Sequence, residues 1–385
     1  MDFEFLTPVD EFLIAHNHLL PTQSFGAGIQ IHTKKTGIPE TKDVKVALIG
    51  VTEQRNASIR WKKPVDLNRI RYHLYRLFKG NWASNIIDLG NIKDGATVED
   101  TYFAVKTLST HLLGQKIIPV FFGGSQDLTF PLYRAYDTLN TVVNIVSVDS
   151  KFDFGDTEQL ISSHSYMSKI IMEKPNNLNH FTNLGFQTFC NAQEEIDLME
   201  RLFFDSHRLG EVIGNTKIAE PVMRSADLVS FDLSSVKAGD AGLADGLSPT
   251  GISAMDLCAL ARYAGISDNL SSVGFFELQD NELFAQLVAQ AIWYFIEGVN
   301  FRLHEYPAEP ITHYTKYTVL VEEQELTFYK SPKSERWWIQ VPIISGSNNN
   351  SESSALLPCT HQDYRDACSN QMPQRWWKAY RKTLA

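Results

Sequence analysis

The sequence predicts an open α/β fold in which helices cover both faces of a mostly parallel sheet of about eight strands. From about Val44 to Gly298, short apolar runs rich in β-branched residues alternate with stretches of helical period. Several of these runs are apolar throughout, which is typical of strands buried on both faces. Strict alternation of strand and helix favours right-handed crossovers and a parallel sheet. A three-layer α/β/α arrangement is therefore the first choice, and a closed barrel is the second.

The individual elements follow from local pattern. The predicted strands are Val46 to Val51, Ile86 to Leu89, Ile117 to Phe122, Val142 to Asp149, Phe181 to Phe189, Gly210 to Ile213, Leu228 to Asp232 and Val273 to Glu277. The predicted helices are Leu67 to Lys79, Val98 to Leu113, Ser253 to Ala264 and Asn281 to Glu297. Each helix is followed directly by glycine, which is a signal for a helix C-terminus.

The pattern changes after Gly298, and three domains or segments are expected. Residues 1–43 form an N-terminal extension, residues 44–300 the α/β domain, and residues 301–385 an appended C-terminal module. The module is predicted to contain a small antiparallel meander of three strands, Lys316 to Val321, Glu325 to Tyr329 and Arg336 to Ile343. Residues 345–355 are polar and small, so a flexible loop is expected there. A helical extension follows, with Thr360 and Asp363 spaced as a helix cap and Pro373 placed to begin a second helix.

Composition and charge exclude several classes of protein. The chain has 385 residues, a formal net charge of −10 and 43% hydrophobic residues, which predicts a folded globular protein without a nucleic-acid partner. Its longest apolar runs are far shorter than the roughly 20 residues that span a bilayer, so no membrane partner is expected. Acidic residues near the N-terminus are unlike a secretory signal, and a cytoplasmic location is the expectation. The four cysteines show no metal or disulfide spacing.

Polar residues follow four of the predicted strands at the point where each strand ends. These are Gly123-Gly124-Ser125-Gln126-Asp127, Asp149-Ser150-Lys151-Phe152-Asp153, Asp232-Leu233-Ser234 and Glu277. In an open parallel sheet, ligands bind outside the carboxyl ends of the strands. Three aspartates and a glutamate are therefore expected to share one crevice, although any single aspartate at a strand end is equally typical of a turn or cap.

At these residues the sequence resembles the ureohydrolase family of arginase, agmatinase and formimidoylglutamase. The family motifs Gly-Gly-Asp-His, Asp-Ala-His-x-Asp and Ser-x-Asp-x-Asp, with a later glutamate, correspond to Gly123 to Gln126, Asp149 to Asp153, Ser230 to Ser234 and Glu277. The resemblance covers roughly residues 40 to 300 and implies an arginase-like fold. It also implies a binuclear manganese centre that delivers hydroxide to a guanidinium, amidine or formimino carbon.

Three of the implied metal ligands are substituted in this sequence. Gln126 and Lys151 stand where the family has histidines, and Ser234 stands where it has an aspartate. Carried over by position, one metal would have Gln126, Asp149, Asp153 and Asp232, and the other would have Lys151, Asp149, Asp232 and Ser234. Protonated lysine has no lone pair to donate to a metal, so the second site cannot work as written. We expect the Lys151 ammonium to take the place of a cation and to hold the vacated site together.

Two functions are consistent with these substitutions. The first is a non-catalytic protein, a pseudoenzyme with no metal cofactor and with a role in binding or assembly. The alternative is a hydrolase of linear amidine, guanidino or formimino C–N bonds with one Mn²⁺ or Mg²⁺ ion at Gln126, Asp149, Asp153 and Asp232, a donor set that suits a hard cation. In either case Asp149, Asp153, Asp232, Glu277 and His164 are the candidate catalytic or vestigial residues.

Other interpretations of the same residues remain open. His164 lies roughly where the family places a proton-shuttling histidine, but a surface or capping histidine fits equally well. Glu277 would orient the substrate cation by resemblance, whereas unaided it is only a carboxylate at a strand end. Gly123-Gly124-Ser125 fits a tight turn better than a phosphate cradle, because the GK[ST] and GxGxxG patterns are missing. Ser125 stands where a serine hydrolase would have its nucleophile, but Asp127 replaces the glycine that such a nucleophile elbow requires. The sequence therefore does not favour a serine hydrolase.

The C-terminal module carries the features that predict partners. Adjacent residues of a strand point to opposite faces, so Trp337 and Trp338 cannot both face one core, and the other tryptophan is expected to contact the main domain or another subunit. Arg375, Lys378, Arg381 and Lys382 give the last helix a basic face. The family resemblance implies homo-oligomers, and a protein partner bound through this module is a further expectation.

Overall fold

The computed structural model of the chain describes residues 3–58, 65–139, 141–156, 161–242, 247–305, 311–343 and 353–384. Within these ranges the strands are β1 (Leu6–Thr7), β2 (Gln30–Ile31), β3 (Val44–Val51), β4 (Asn85–Ile92), β5 (Ile118–Phe122), β6 (Val143–Val148), β7 (Leu178–Phe186), β8 (Asp205–Arg208), β9 (Leu228–Asp232), β10 (Ser272–Phe276), β11 (Thr315–Val321), β12 (Gln324–Lys330), β13 (Trp337–Ile343) and β14 (Ser353–Cys359).

The helices of the same ranges alternate with these strands. They are α1 (Glu11–Asn17), α2 (Leu67–Arg76), α3 (Val98–Gly114), α4 (Thr129–Arg134), α5 (Tyr166–Met172), α6 (Gln193–Arg201), α7 (Leu209–Gly214), α8 (Ala219–Ser225), α9 (Ala238–Ala241), α10 (Ala254–Gly265), α11 (Glu282–Asn300), α12 (His361–Cys368) and α13 (Gln374–Leu384). The four helices predicted from the glycine signals are confirmed as α2, α3, α10 and α11.

The large sheet is mostly parallel, as predicted. Its strand order is β1-β4-β3-β5-β10-β9-β6-β7-β8, with β2 also paired to β4. The pairings among β3 to β10 are all parallel, whereas β1 pairs antiparallel with β4. Seven of its strands, β3 to β7, β9 and β10, correspond to predicted strands. Strand β8 was not predicted, and the two short strands β1 and β2 come from the N-terminal segment.

A hydrophobic core covers each face of this sheet. In β3, Val46 and Leu48 belong to one core, and Ala47, Ile49 and Val51 belong to the other. This alternation follows from the two-residue period of a strand. Helices α2, α10 and α11 pack in the first core, while α3, α4 and α5 pack in the second. The three-layer α/β/α prediction is therefore confirmed, and the barrel alternative is not adopted.

One predicted strand was wrong. The segment Gly210 to Ile213 lies in helix α7, and the strand of that region is the preceding β8. A run of four residues cannot distinguish a short helix from a strand by periodicity. Strand β8, with the sequence Asp-Ser-His-Arg, lies at the edge of the sheet and carries no apolar signal.

The C-terminal module contains a four-stranded antiparallel sheet, one strand more than predicted. Its order is β11-β12-β13-β14, and helices α12 and α13 pack against it. Residues 345–352 of the predicted flexible loop lie outside the described residues, and Ser353 already pairs with Ile343 at the start of β14. The predicted cap of α12 is confirmed, because Thr360 and Asp363 form a reciprocal capping box.

Arg224 of α8 connects the module to the α/β domain. Its guanidinium donates hydrogen bonds to the carbonyl oxygens of Trp337 at 3.1 Å and Cys359 at 3.0 Å. The same group lies over the ring of Trp338, 4.7 Å from its centre. Trp337 packs inside the module while Trp338 turns toward the α/β domain. The two neighbouring tryptophans thus have opposite surroundings, as the strand alternation predicts.

Within the described ranges, none of the helices combines the length and apolar character that crossing a membrane would require.

Asp227, which precedes β9, gives the fold a pH-dependent element. Burial raises its pKa to about 6, although the backbone N–H of Asn144 donates to the carboxylate at 2.8 Å. A raised folded-state pKa means that this site contributes stability at low pH and loses it as the pH rises through about 6. We therefore expect Asp227→Asn, which keeps an acceptor for Asn144, to increase the free energy of unfolding by about 1–2 kcal/mol at pH 7.5, after allowance for partial solvent screening.

Urea unfolding of both proteins between pH 4 and pH 7.5 measures this effect. The stabilisation should become small toward pH 4, because the pH then approaches the ordinary pKa of an aspartate and the carboxyl gains protons in the unfolded state as well. A gain that is constant across the whole pH range would contradict the assignment to Asp227.

Candidate functional site

The candidate site lies at the carboxyl ends of four adjacent strands. Strands β5, β10, β9 and β6 are consecutive in the sheet. The chain leaves them at Gly123, Glu277, Asp232 and Asp149, respectively. Residues that are far apart in the sequence are therefore brought to one edge of the sheet, as the crevice prediction requires.

Gly123 and Gly124 allow the tight turn after β5. They have φ angles of 94° and 77°, which residues with a side chain rarely adopt. A Cβ atom on Gly123 would lie 2.3 Å from the carbonyl oxygen of Val51. The N–H groups of Gly123 and Ser125 donate to the carbonyl oxygens of Phe275 and Glu53, so they are not directed at a phosphate. The structure thus favours the tight-turn interpretation, and the fully buried Ser125 is no exposed nucleophile.

Asp149, Asp153 and Asp232 form one buried cluster. Their exposed fractions are 0%, 4% and 5%. Burial raises the pKa of each carboxyl well above its usual range, and the charges of the neighbouring aspartates add to this effect. Without a cation, burial therefore disfavours the ionised form of these carboxyl groups, because ionised carboxylates are costly to bury.

The side chain of Lys151 does not make the contacts that the sequence led us to expect. In the ranges that the structure describes, its ammonium forms no ion pair within 4.0 Å with Asp149, Asp153 or Asp232. The charge of Lys151 nevertheless lowers the pKa values of Asp149 and Asp153, against the larger effect of burial. The ammonium thus acts on the aspartate cluster through its charge rather than through an ion pair with these carboxylates.

Three buried oxygen atoms in the crevice accept no hydrogen bond from an N–H or hydroxyl group of the described residues. They are Oε1 of Gln126, Oδ2 of Asp149 and Oδ2 of Asp153. The amide nitrogen of Gln126 donates to the hydroxyl oxygen of Ser230 at 2.9 Å, which leaves the amide oxygen free. Buried polar atoms without partners are rare in folded proteins. These oxygens therefore indicate a position where a cation or a donor group would be accommodated.

Glu277 is occupied by donors of the chain itself. It is 2% exposed and has a φ angle of 57°, in the left-handed region. Its carboxylate accepts the backbone N–H of Gln126 at 3.0 Å and the hydroxyl groups of Ser163 at 2.5 Å and Ser58 at 2.8 Å. The backbone N–H of Ser58 adds a longer contact at 3.3 Å. The residue that the resemblance assigns to a substrate cation thus already has a complete set of partners.

His164 lies beside the aspartate cluster. Its Nδ1 atom is 3.5 Å from Oδ1 of Asp153, and its side chain is 48% exposed. Burial and the charge of Lys151 lower the pKa of His164, so its imidazole is neutral at physiological pH. The structure therefore places this histidine at the mouth of the crevice rather than on a remote surface.

The donor atoms fit one divalent ion better than two. Gln126, Asp149, Asp153 and Asp232 offer only oxygen ligands, which suit Mg²⁺ or Mn²⁺. A second ion would rely on Lys151 and Ser234 in place of a histidine and an aspartate. The backbone N–H groups of these two residues instead donate to Oδ1 of Asp149 at 2.9 Å and Oδ1 of Asp232 at 2.7 Å.

The carboxylates alone do not form a preformed metal site. In the part of the chain that the structure describes, no three or more His, Cys, Asp and Glu side chains have the arrangement of metal ligands. The buried oxygens that accept no hydrogen bond nevertheless favour a bound cation, and the Gln126 amide oxygen is one of them. A single ion would therefore depend on Gln126 as a ligand.

Sequence reasoning missed the residues that surround Glu277. Ser58 precedes the first gap in the described chain, and Ser163 comes directly before His164. Ser163 also accepts the N–H of Gln126 at 3.2 Å, so it connects two of the candidate residues. Neither serine belongs to a motif that could have revealed it. The adjacent His164 is the only signal in the sequence that points to this part of the crevice.

Comparison with known proteins identifies relatives of the fold. A model of the arginase family matches residues 46–290. No curated protein matches the chain. Among solved structures, Trypanosoma cruzi formiminoglutamase with Mn²⁺ has 17% identity and a TM-score of 0.61 over 68% of this chain and 96% of its own.

Two further solved structures cover a similar share. Bacillus subtilis formimidoylglutamase has 15% identity and a TM-score of 0.61 over 76% of this chain and 100% of its own. Agmatine ureohydrolase of Thermoplasma volcanium has 17% identity and a TM-score of 0.58 over 74% of this chain and 97% of its own. At these identities the structural similarity concerns the fold alone.

Proposed function

The chain belongs to the arginase family, and from this premise we propose that it is a non-catalytic member that has lost the binuclear manganese centre. The observation that carries the proposal is the set of ligands available for a second ion. Lys151 has no lone pair to donate while it is protonated, and Ser234 lacks the carboxylate of the family motif. The family acts on C–N bonds of guanidino compounds with two ions, so the loss of one site removes the shared hydroxide.

The environment of Glu277 supports the same proposal. A guanidinium or amidine group would have to displace the donors from Ser58, Ser163 and Gln126 before it could pair with this carboxylate. Displacing charge-assisted hydrogen bonds in a buried site is costly. The crevice therefore serves binding or assembly in this proposal, and turnover of the family's substrates is not expected.

Metal analysis combined with activity assays tests the proposal. The purified protein is incubated with excess Mn²⁺, freed of unbound ion and analysed for metal, and it is assayed with arginine, agmatine and formiminoglutamate. We expect fewer than two ions per chain and no hydrolysis above the rate of protein-free buffer. Two bound ions together with turnover of any of these compounds would refute the proposal.

A second candidate is a hydrolase with one metal ion, and the unpartnered oxygens of Gln126, Asp149 and Asp153 favour it. When bound, a single Mn²⁺ or Mg²⁺ ion would activate water and polarise the substrate. Gln126 and the three aspartates would hold the ion, and the neutral His164 beside Asp153 could accept a proton. Glu277 would bind a substrate cation only after Ser58 and Ser163 had moved.

The variant Asp149→Ala separates the two candidates. The second candidate predicts one ion per chain in the wild type, together with metal-dependent hydrolysis. The ion should be lost in Asp149→Ala and retained in the control Asp197→Ala, which changes an exposed residue. Wild-type protein that is repeatedly free of metal would exclude that candidate. Association of the chain with further copies, or with a protein partner through the C-terminal module, remains a prediction that light scattering of the purified protein would check.

A further inference from the structure

A groove separates the C-terminal module from the α/β domain at the edge of the sheet opposite the crevice. It has a volume of about 530 Å³ and is bordered by the amino-terminal ends of β6 and β7, by β14 and by helix α13. Ligand sites in proteins commonly have volumes of about 300–1,000 Å³ and mostly apolar walls. The size of the groove is therefore suitable for a small organic molecule.

One face of α13 supplies the basic groups of the lining. Arg375, Lys378, Ala379, Lys382 and Thr383 all border the groove, with the spacing of neighbours on one helix face. The apolar part of the lining includes Val222 of α8 and Leu357 of β14, and the ends of β6 and β7 add polar side chains. The groove thus combines basic groups of α13 with apolar surface from both the module and the α/β domain.

The charges of the groove do not balance. Asp205 is the acidic residue of the lining, and it pairs with Lys378 at 2.9 Å and contacts His180 at 3.0 Å. Burial acts to raise the pKa of Asp205, but His180 and Lys378 outweigh it and hold this pKa below its usual range. Asp205 thus already pairs with Lys378 and contacts His180, and among the described residues the groove lining holds no further acid for Lys382 and Arg375.

The side chains of Lys382 and Arg375 use only some of their hydrogen-bond donors. Nζ of Lys382 donates to the carbonyl oxygen of Asn179, and burial lowers the pKa of this lysine. Arg375 donates through Nη1 to the carbonyl oxygen of Pro358 at 3.1 Å. Its Nε atom is buried without a hydrogen-bond partner among the described residues, and Oδ2 of Asp363 lies 3.9 Å from it. A guanidinium with free donors is suited to a carboxylate or phosphate group.

We propose that this groove binds a small amphipathic anion, with its oxyanion head between Arg375 and Lys382 and its apolar part against Val222 and Leu357. The head is a carboxylate or a phosphate, because both present acceptor oxygens to a guanidinium. The site is separate from the crevice and does not depend on whether the crevice is catalytic. It also explains why an acidic protein places a basic helix face against its own α/β domain.

Calorimetric titration of the full chain with octanoate, octyl phosphate, inorganic phosphate and octylamine tests the proposal. We expect octanoate or octyl phosphate to bind with a dissociation constant below about 1 mM, and inorganic phosphate and octylamine to bind at least about tenfold more weakly. The octyl anion with the lower dissociation constant identifies the preferred head group. The proposal is overturned if neither octyl anion binds, or if inorganic phosphate or octylamine binds as well as they do.

Charge-removing variants locate the site. Lys382→Gln should weaken binding of the octyl anion by about tenfold, because it removes one of two unbalanced charges. Arg365→Gln of helix α12 is the control, since it removes an exposed positive charge of the same module that does not line the groove. Thermal unfolding verifies that both variants are folded. Equal loss of affinity in the two variants, or unchanged affinity in Lys382→Gln, would overturn the assignment.

Discussion

The triple variant Gln126→His, Lys151→His and Ser234→Asp should bind two Mn²⁺ ions per chain. It restores two imidazoles and a carboxylate at positions that the fold already brings to the carboxyl ends of adjacent strands. Imidazole nitrogen and carboxylate oxygen donate lone pairs to Mn²⁺, whereas an ammonium cannot. Metal analysis after removal of unbound ion measures the gain.

The double variant Gln126→His and Ser234→Asp is the matched control, because it keeps Lys151. We expect it to bind at most one ion, since the positive charge and the missing lone pair persist at the second position. Two ions in the double variant would show that Lys151 does not block the second site. A triple variant that binds no metal would mean that the backbone around Asp149 and Asp232 has diverged beyond side-chain replacement.

Arg224→Met should lower the free energy of unfolding by about 3–5 kcal/mol. The substitution keeps much of the volume but leaves the carbonyl oxygens of Trp337 and Cys359 without their buried donor. It also removes one of the two ion-pair partners of Glu220, leaving Arg336, and the cation over Trp338. Urea unfolding gives the loss, and hydrogen exchange should show faster exchange in β13 and β14.

Arg201→Met is the control for this prediction, because Arg201 is exposed at the end of α6 and the substitution should change stability by less than about 0.5 kcal/mol. A loss below about 1 kcal/mol in Arg224→Met, with unchanged exchange in β13 and β14, would show that other contacts hold the module. The attachment of the module would then not depend on this guanidinium.

The fold was largely predictable because its signals are local. Buried strands such as β5 and β9 are apolar throughout, and the ends of α3 and α10 are marked by glycine. Strand β8 was missed because its residues are polar and it pairs only at the edge of the sheet. Strand β14 owes its conformation to pairing with β13, and no local pattern separates it from the preceding polar residues.

The candidate site was predictable in its position but not in its contacts. The order of the strands decides that Asp149, Asp232 and Glu277 meet, and their placement at strand ends is visible in the sequence. The partners of Glu277 come from Ser58 and Ser163, which lie in loops that no motif marks. The effect of Lys151 was likewise not encoded locally, because its charge lowers the pKa values of Asp149 and Asp153 without an ion pair to either in the described ranges.

Anomalous scattering at the manganese edge, from crystals of the wild-type protein grown with excess Mn²⁺, is the most direct measurement of the lost centre. The account predicts no more than one peak in the crevice, bounded by Gln126, Asp149, Asp153 and Asp232. Two peaks that share Asp149 and Asp232, with Lys151 turned away from both, would contradict it.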